Sequence, residues 1–117
     1  MKLFAALLAG AALLLTACGA SSEATTYSGP AKEITVTIAN RTVTPPPGRV
    51  EVAKGQQVKI TVTSDVADEA HVHGYDKSAA LAPGAPATID FVADQDGLFE
   101  VETHESGLQL LQLAVQD

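Results

Sequence analysis

The residues of this chain best suited to binding an ion are its three histidines, which occur in two places. His71 and His73 are separated by one residue, and His104 lies further towards the C-terminus. Alternate residues of a β-strand project from the same face, so His71 and His73 can converge if they lie in a strand. Imidazole nitrogen is a ligand for copper, zinc, nickel and iron. The spacing is therefore compatible with a transition-metal site.

The same alternation adds a carboxylate to this set. Glu102 shares a strand face with His104, opposite Val101, which we expect to face the core. Two histidines from one segment, with Glu102 and His104 from another, would form a metal site if the segments are neighbours. The alternative is that these are the polar residues of a solvent-exposed strand face, which shows the same alternation.

Other kinds of site have little support in the sequence. Ser78 and Ser106 lie in no nucleophile motif, and no glycine-rich phosphate loop occurs. The chain has 14 acidic and 7 basic residues, giving a formal net charge of −7. This charge argues against a nucleic-acid partner and is compatible with cationic ones, metal ions included. We therefore expect a binding protein and not an enzyme.

The segments that must position these residues have the pattern of β-strands. Apolar and polar residues alternate, with many β-branched side chains, and Asp94 to Gly97 is a strong turn signal. No segment after Cys18 shows a helical period with caps. Some seven short strands at such spacing predict an all-β protein, a β-sandwich. The clearest runs are residues 34–38, 50–52, 58–62, 87–92, 98–103 and 109–115.

The first 18 residues have the pattern of a bacterial lipoprotein signal. Lys2 precedes an apolar run over residues 3–15, and Leu15-Thr16-Ala17-Cys18 resembles a lipobox. The run is too short to span a hydrocarbon core, which takes roughly 20 residues. We expect cleavage before Cys18 and its lipidation, because two acyl chains anchor a protein stably. An ordinary signal peptide with an incidental cysteine is the alternative.

These patterns divide the chain into three parts. Residues 1–17 are the predicted lipoprotein signal peptide, residues 18–32 a lipidated flexible tether of small polar residues, and residues 33–117 the folded domain. The protein is then expected outside the cytoplasm, attached to a bacterial membrane. Since Cys18 is the only cysteine, no internal disulfide can form.

The strand segments also resemble a known family. Val-Lys-Ile-Thr-Val-Thr-Ser-Asp at 58–65, Glu-Ala-His-Val-His-Gly-Tyr-Asp at 69–76 and Asp-Gly-Leu-Phe-Glu-Val-Glu-Thr-His at 96–104 are similar to bacterial cupredoxin-like domains. Together with Leu-Gln-Leu-Ala-Val at 111–115, they look like the small proteins related to the cupredoxin-like domain of the EfeO iron-uptake component. The resemblance implies a Greek-key β-sandwich whose metal site, where present, lies in loops at one end.

The resemblance also implies where copper ligands would fall. His71 or His73 comes near the first histidine ligand, the cysteine position falls at or beside Thr103 and His104, and later ligands fall near Ser106 and Gln109. Blue copper requires a thiolate, and no cysteine remains once Cys18 carries lipid. The site that the resemblance still allows is one without a thiolate, formed by His71, His73 and His104 with or without Glu102; the alternative is a domain that binds no metal.

Two functions follow as hypotheses. The first is a membrane-anchored lipoprotein that binds copper(II) or a similar ion through His71, His73, His104 and Glu102. The second is a metal-free cupredoxin-like module that binds another protein of the cell envelope.

Overall fold

A computed structural model describes residues 27–117, which form nine β-strands and no helix. The predicted signal peptide, Cys18 and the first part of the predicted tether lie outside the described residues. Over residues 27–117 there is no helix that could cross a membrane. The strands are β1 (Lys32–Ala39), β2 (Thr42–Thr44), β3 (Arg49–Ala53), β4 (Gln57–Ser64), β5 (Asp68–Val72), β6 (Lys77–Leu81), β7 (Ala87–Val92), β8 (Gly97–Thr103) and β9 (Gln109–Gln116).

The strands form two sheets. One has the order β2-β1-β4-β7 and the other the order β3-β9-β8-β5-β6. Strands β1 and β4 pair in parallel, as do β3 and β9, and the remaining pairs are antiparallel. The chain passes repeatedly from one sheet to the other, which is how a sandwich is built. The predicted all-β sandwich is confirmed.

The core lies between the sheets and follows from the alternation seen in the sequence. In β4, Val58, Ile60 and Val62 are fully buried while the residues between them are more exposed. Because a strand presents alternate residues to opposite faces, each such run buries one face and leaves the other to solvent. The second sheet buries Ala70, Val72, Val101, Leu111, Leu113 and Val115 in the same way.

The strand count exceeds the expected seven for a physical reason. Strand β2 has only three residues, and β6 has the sequence Lys-Ser-Ala-Ala-Leu. Alanine and serine have low strand propensity, so β6 carries no strong strand signal of its own. It becomes a strand by pairing with β5, where His71 lies opposite Ser78. The pairing with β5 therefore stabilises a strand that the local sequence does not predict.

Candidate metal site

The site lies where β5 pairs with β8. The register places His71 opposite Glu102 and Val72 opposite Val101. Val72 and Val101 are buried in the core, so their neighbours His71 and Glu102 project from the outer face of the sheet. The backbone N–H of His73 donates to the carbonyl of Glu100 at 2.8 Å, which continues the pairing one step beyond β5. The adjacency that the sequence required is therefore present.

Three of the four predicted ligands come together on this outer face. Nε2 of His73 lies 2.7 Å from Oε1 of Glu102, and Nε2 of His71 lies 3.7 Å from the same oxygen. The two imidazole rings are 4.7 Å apart between centroids. One donor atom from each of the three residues can be chosen so that all lie within 4.8 Å of one another.

The three side chains differ in exposure. The side chain of His71 is 24% exposed, that of Glu102 is 35% exposed, and that of His73 is 61% exposed. His71 is enclosed because it lies between β8 and β6, whereas His73 lies past the end of β5. The cluster is thus anchored on the sheet at one side and open to solvent at the other.

The position of His73 depends on the turn that follows it. Gly74 has φ of +88°, and a Cβ built there would lie 2.8 Å from the Phe99 ring, so only glycine fits. Tyr75 then enters the core and packs against Phe91 and Phe99, with ring centroids at 4.9 and 4.5 Å. Burial raises the pKa of Tyr75, and its hydroxyl donates to the carbonyl of Gln95 at 2.7 Å. The contacts of Tyr75 in the core therefore fix the turn that follows His73.

A neighbouring carboxylate, Glu100, has its oxygens occupied. Nε2 of Gln112 donates to Oε1 of Glu100 at 2.9 Å, and Nε2 of Gln109 donates to Oε2. A β-bulge in the β8–β9 ladder allows this, because Glu100 pairs with Gln112 while Glu102 pairs with Gln109, so that Leu110 is skipped. Sequence reasoning missed these two hydrogen bonds to Glu100, since a bulge has no reliable signal in alternation.

The fourth predicted ligand, His104, lies on the same side of the sheet but outside the cluster. Its backbone N–H donates to the carbonyl of Glu69 at 2.8 Å, beyond the last residue of β8. The His104 ring is 6.1 Å from the His71 ring between centroids. His104 is exposed, and it is not among the residues whose donor atoms group together.

The donor set suits a first-row transition ion. A tetrahedral ion bonded to nitrogen and oxygen at about 2.0–2.2 Å needs donors about 3.3 Å apart. The 2.7 and 3.7 Å separations bracket that value, so small side-chain rotations would bring the donors to an ion. Two imidazoles beside one carboxylate favour copper, zinc or nickel over calcium, because calcium takes oxygen ligands whereas imidazole nitrogen suits the first-row transition ions.

The opposite face of the same strand pair is built differently. Asp68 begins β5 and accepts four hydrogen bonds near the β8–β9 turn. Its Oδ1 accepts from the N–H of Glu69 at 2.7 Å and of Glu105 at 2.8 Å. Its Oδ2 accepts from the N–H of Ser106 at 3.1 Å and from the Ser106 hydroxyl. Burial alone would raise the pKa of Asp68, but these donors outweigh it and lower the pKa to about 2.

Side chains at the positions expected for blue-copper ligands are likewise engaged. Thr103 is buried and its hydroxyl accepts from the N–H of Leu108 at 2.9 Å, Ser106 binds Asp68, and Gln109 binds Glu100. His71 and His73 lie on the outer face, whereas Thr103 faces the core opposite Ala70. The residues present do not fit a blue-copper centre, because a hydroxyl stands where a thiolate is needed.

Comparison with solved structures identifies the fold. The chain is similar to the blue copper oxidase from Nitrosomonas europaea, with 13% identity and a TM-score of 0.61 over 74% of this chain and 44% of that one. It is similar to the laccase from Botrytis aclada, with 22% identity and a TM-score of 0.60 over 79% of this chain and 23% of that one. It is also similar to Fet3p, a multicopper oxidase that functions in iron import, with 18% identity and a TM-score of 0.62 over 75% of this chain and 23% of that one.

These similarities show the fold alone. The sandwich is a cupredoxin-like Greek-key sandwich, as predicted, and its structural neighbours are cupredoxin-like domains of multicopper oxidases. The chain spans less than half of the length of each of those oxidases. No protein-family model matches the sequence, and no curated protein matches it.

Proposed function

We propose that this protein binds copper(II) or a similar divalent ion through His71, His73 and Glu102. The observation that carries the proposal is the convergence of three donors on one exposed face, within 4.8 Å of one another. Copper(II) is the first candidate because it heads the Irving–Williams order for nitrogen and oxygen donors. The net charge of −7 favours a cation over an anion.

The proposed activity is binding and not catalysis. The cluster is solvent-facing on the His73 side, so an ion could enter and leave without a change of fold. That property suits sequestration or delivery of an ion. A catalytic centre would additionally need a general base or redox partner, and the neighbouring carboxylate of Glu100 is held by two glutamine amides.

The proposed place of action is outside the cytoplasm, at a bacterial membrane to which the protein is attached by lipid. The support is the sequence around Cys18, where a short apolar run ends in small residues before the cysteine. Lipid on Cys18 would hold the domain at the surface through a polar tether. We further propose kinship with the cupredoxin-like domain of the EfeO type, on the sequence segments that resemble it.

One observation favours a second function, a metal-free module that binds another envelope protein. The carboxylate of Glu102 lies at hydrogen-bonding distance from His73, 2.7 Å, and 3.7 Å from His71. Glu102 and His73 can therefore pair with each other without an ion. A cluster of this kind would be a polar contact surface.

The deciding experiment is a copper(II) titration of the full chain by isothermal calorimetry. We expect one saturable site in the native chain, and its loss in the double variant His71→Ala/His73→Ala. Asp94→Asn/Asp96→Asn is the matched control, because it removes two exposed acidic side chains outside the cluster. Equal weak uptake by all three proteins would overturn the proposal and favour the metal-free module.

Anchoring is tested separately. Cells expressing the chain would be fed an alkyne-labelled fatty acid, and we expect label on the native chain but not on Cys18→Ser. The variant should leave the membrane fraction. Membrane association of the unlabelled variant would contradict lipid anchoring through Cys18.

A further inference from the structure

A groove of about 430 Å³ runs from the side-chain cluster of His71, His73 and Glu102 along the outer face of β8. His73 and Glu102 line it at one side, and Leu98, Phe99 and Gly74 line the rest with Glu100. Leu98 is 58% exposed. It is one of three large apolar residues that are exposed to solvent within residues 27–117. An apolar residue thus lies in the same groove as two of the three proposed ligands.

The number of donors leaves room for another ligand. The cluster supplies three, whereas copper(II) bound by nitrogen and oxygen prefers a tetragonal arrangement of at least four. An ion there has a remaining position, and two of its protein ligands border the groove. A donor arriving along the groove could therefore complete the coordination.

Charge and shape narrow the chemistry of that donor. The groove carries Glu100 and Glu102 in a chain of net charge −7, which disfavours an anionic ligand such as a polycarboxylate. The oxygens of Glu100 already accept from Gln109 and Gln112, so the groove offers no strong demand for a cationic group. The exposed Leu98 side chain favours an apolar neighbour.

We propose that the bound ion takes its next ligand from a partner protein, an inference that rests on the proposed function. This ligand is the neutral imidazole of a histidine that stands next to an apolar residue. The imidazole would bind the ion, and the apolar side chain would cover Leu98. The groove is then a docking site at which an ion passes between two proteins without being released.

The test uses the full chain loaded with one equivalent of copper(II) and follows its visible d–d absorption. Acetyl-Gly-His-Leu-amide, 4-methylimidazole and citrate are each titrated into a separate sample of the loaded chain. We expect the peptide to shift the band to shorter wavelength and to bind at least about five-fold more tightly than the free ring, because its leucine buries apolar surface. Citrate should strip the ion or leave the band unchanged.

Leu98→Ser is the test variant and Val92→Ser the control, since Val92 is similarly exposed, at 51%, on a strand of the other sheet. Both should bind copper(II) as the native chain does. We expect Leu98→Ser to weaken the peptide about five-fold and Val92→Ser to leave it unchanged.

The outcomes separate the two proposals. Absence of copper binding overturns the proposed function itself. Copper binding without a peptide shift, or equal affinity for peptide and free ring, overturns this inference and leaves the metal site standing. Equal losses in Leu98→Ser and Val92→Ser would likewise overturn the docking role of the groove.

Discussion

Strands β5 and β8 carry two polar clusters that share a backbone and differ in what their side chains can still do. On the outer face, His71, His73 and Glu102 point to solvent with donor atoms close together. On the opposite face of the same strands lies an inner cluster, made of Asp68, Thr103 and Ser106. There Asp68 accepts four hydrogen bonds, and Thr103 is buried with its hydroxyl engaged. The first cluster has bonding capacity for an external ion, and the second has used its capacity to hold the fold.

The contrast shows how alternation along a strand separates binding from stability. Adjacent residues face opposite ways, so Glu102 lies in the outer cluster while Thr103 lies in the inner one. The cupredoxin-like resemblance implies a cysteine ligand at or beside Thr103 and His104 and a later ligand near Ser106. In this chain the side chains of Thr103 and Ser106 are engaged in hydrogen bonds, and the ion site that we propose lies on the other face of the same strands.

The largest expected effect concerns the outer cluster and compares two glutamates two residues apart. We expect Glu102→Gln to weaken copper(II) binding by about a hundredfold, because it removes the only charged ligand of the proposed site, whose carboxylate lies beside both imidazoles. Glu100→Gln should change the affinity less than about three-fold, since its oxygens serve Gln109 and Gln112. Calorimetric titration measures both. Similar losses in the two variants would mean that the face binds ions by charge alone.

The next effect concerns the inner cluster. We expect Asp68→Asn to lower the free energy of unfolding by about 2 kcal/mol at neutral pH, because an amide cannot accept all four hydrogen bonds. Asp65→Asn is the matched control, with one hydrogen bond from the N–H of Asn40 at 2.9 Å, and should cost about 0.5 kcal/mol. Urea unfolding followed by circular dichroism measures both. A loss of copper affinity in folded Asp68→Asn would show that the two clusters are coupled.

The pH dependence of stability gives a smaller effect from the same residue. The pKa of Asp68 is about 2 in the fold against an ordinary value of 3.8, so its charge stabilises the folded state above about pH 4. That contribution is lost as the pH falls from about 4 to about 2, when the folded state also takes up the proton. Because Asp68 is partly exposed and solvent screens its charge, we expect the loss to be smaller than the full shift would give, about 1–2 kcal/mol.

The variant Asp68→Asn isolates this contribution from that of other carboxylates. The difference in unfolding free energy between the native chain and the variant should be largest at pH 5 to 7 and should shrink towards pH 2. Urea unfolding at each pH measures the difference. A constant gap across this range would mean that the charge of Asp68 does not stabilise the fold.

Much of this arrangement could be predicted from the sequence because it depends on alternation. The runs around Ile60 and Val101 predicted strands with one buried face, and the outward direction of Glu102 followed from Val101. The resemblance to cupredoxin-like domains supplied the topology, which alternation alone cannot give. Strand β6 escaped prediction because its alanines and serine pair only through β5.

The parts that could not be predicted depend on contacts distant in sequence. The β-bulge at Leu110 decides that Gln109 and Gln112 engage Glu100, and no local signal marks it. The hydrogen bonds between Asp68 and Ser106 join residues 38 positions apart. Parity placed His104 on the correct face but could not give its separation from His71.

The smallest expected effect tests whether His104 belongs to the outer cluster. With its ring 6.1 Å from that of His71 and its donors outside the group, His104→Ala should change copper(II) affinity by less than about three-fold. Calorimetry measures this against His73→Ala, which should lose at least about tenfold. A comparable loss in both variants would mean that the His104 side chain swings towards His71 when the ion binds. It would then occupy the position that we assign to a partner's histidine, so the same result would restore the four-residue site and close the groove to an external donor.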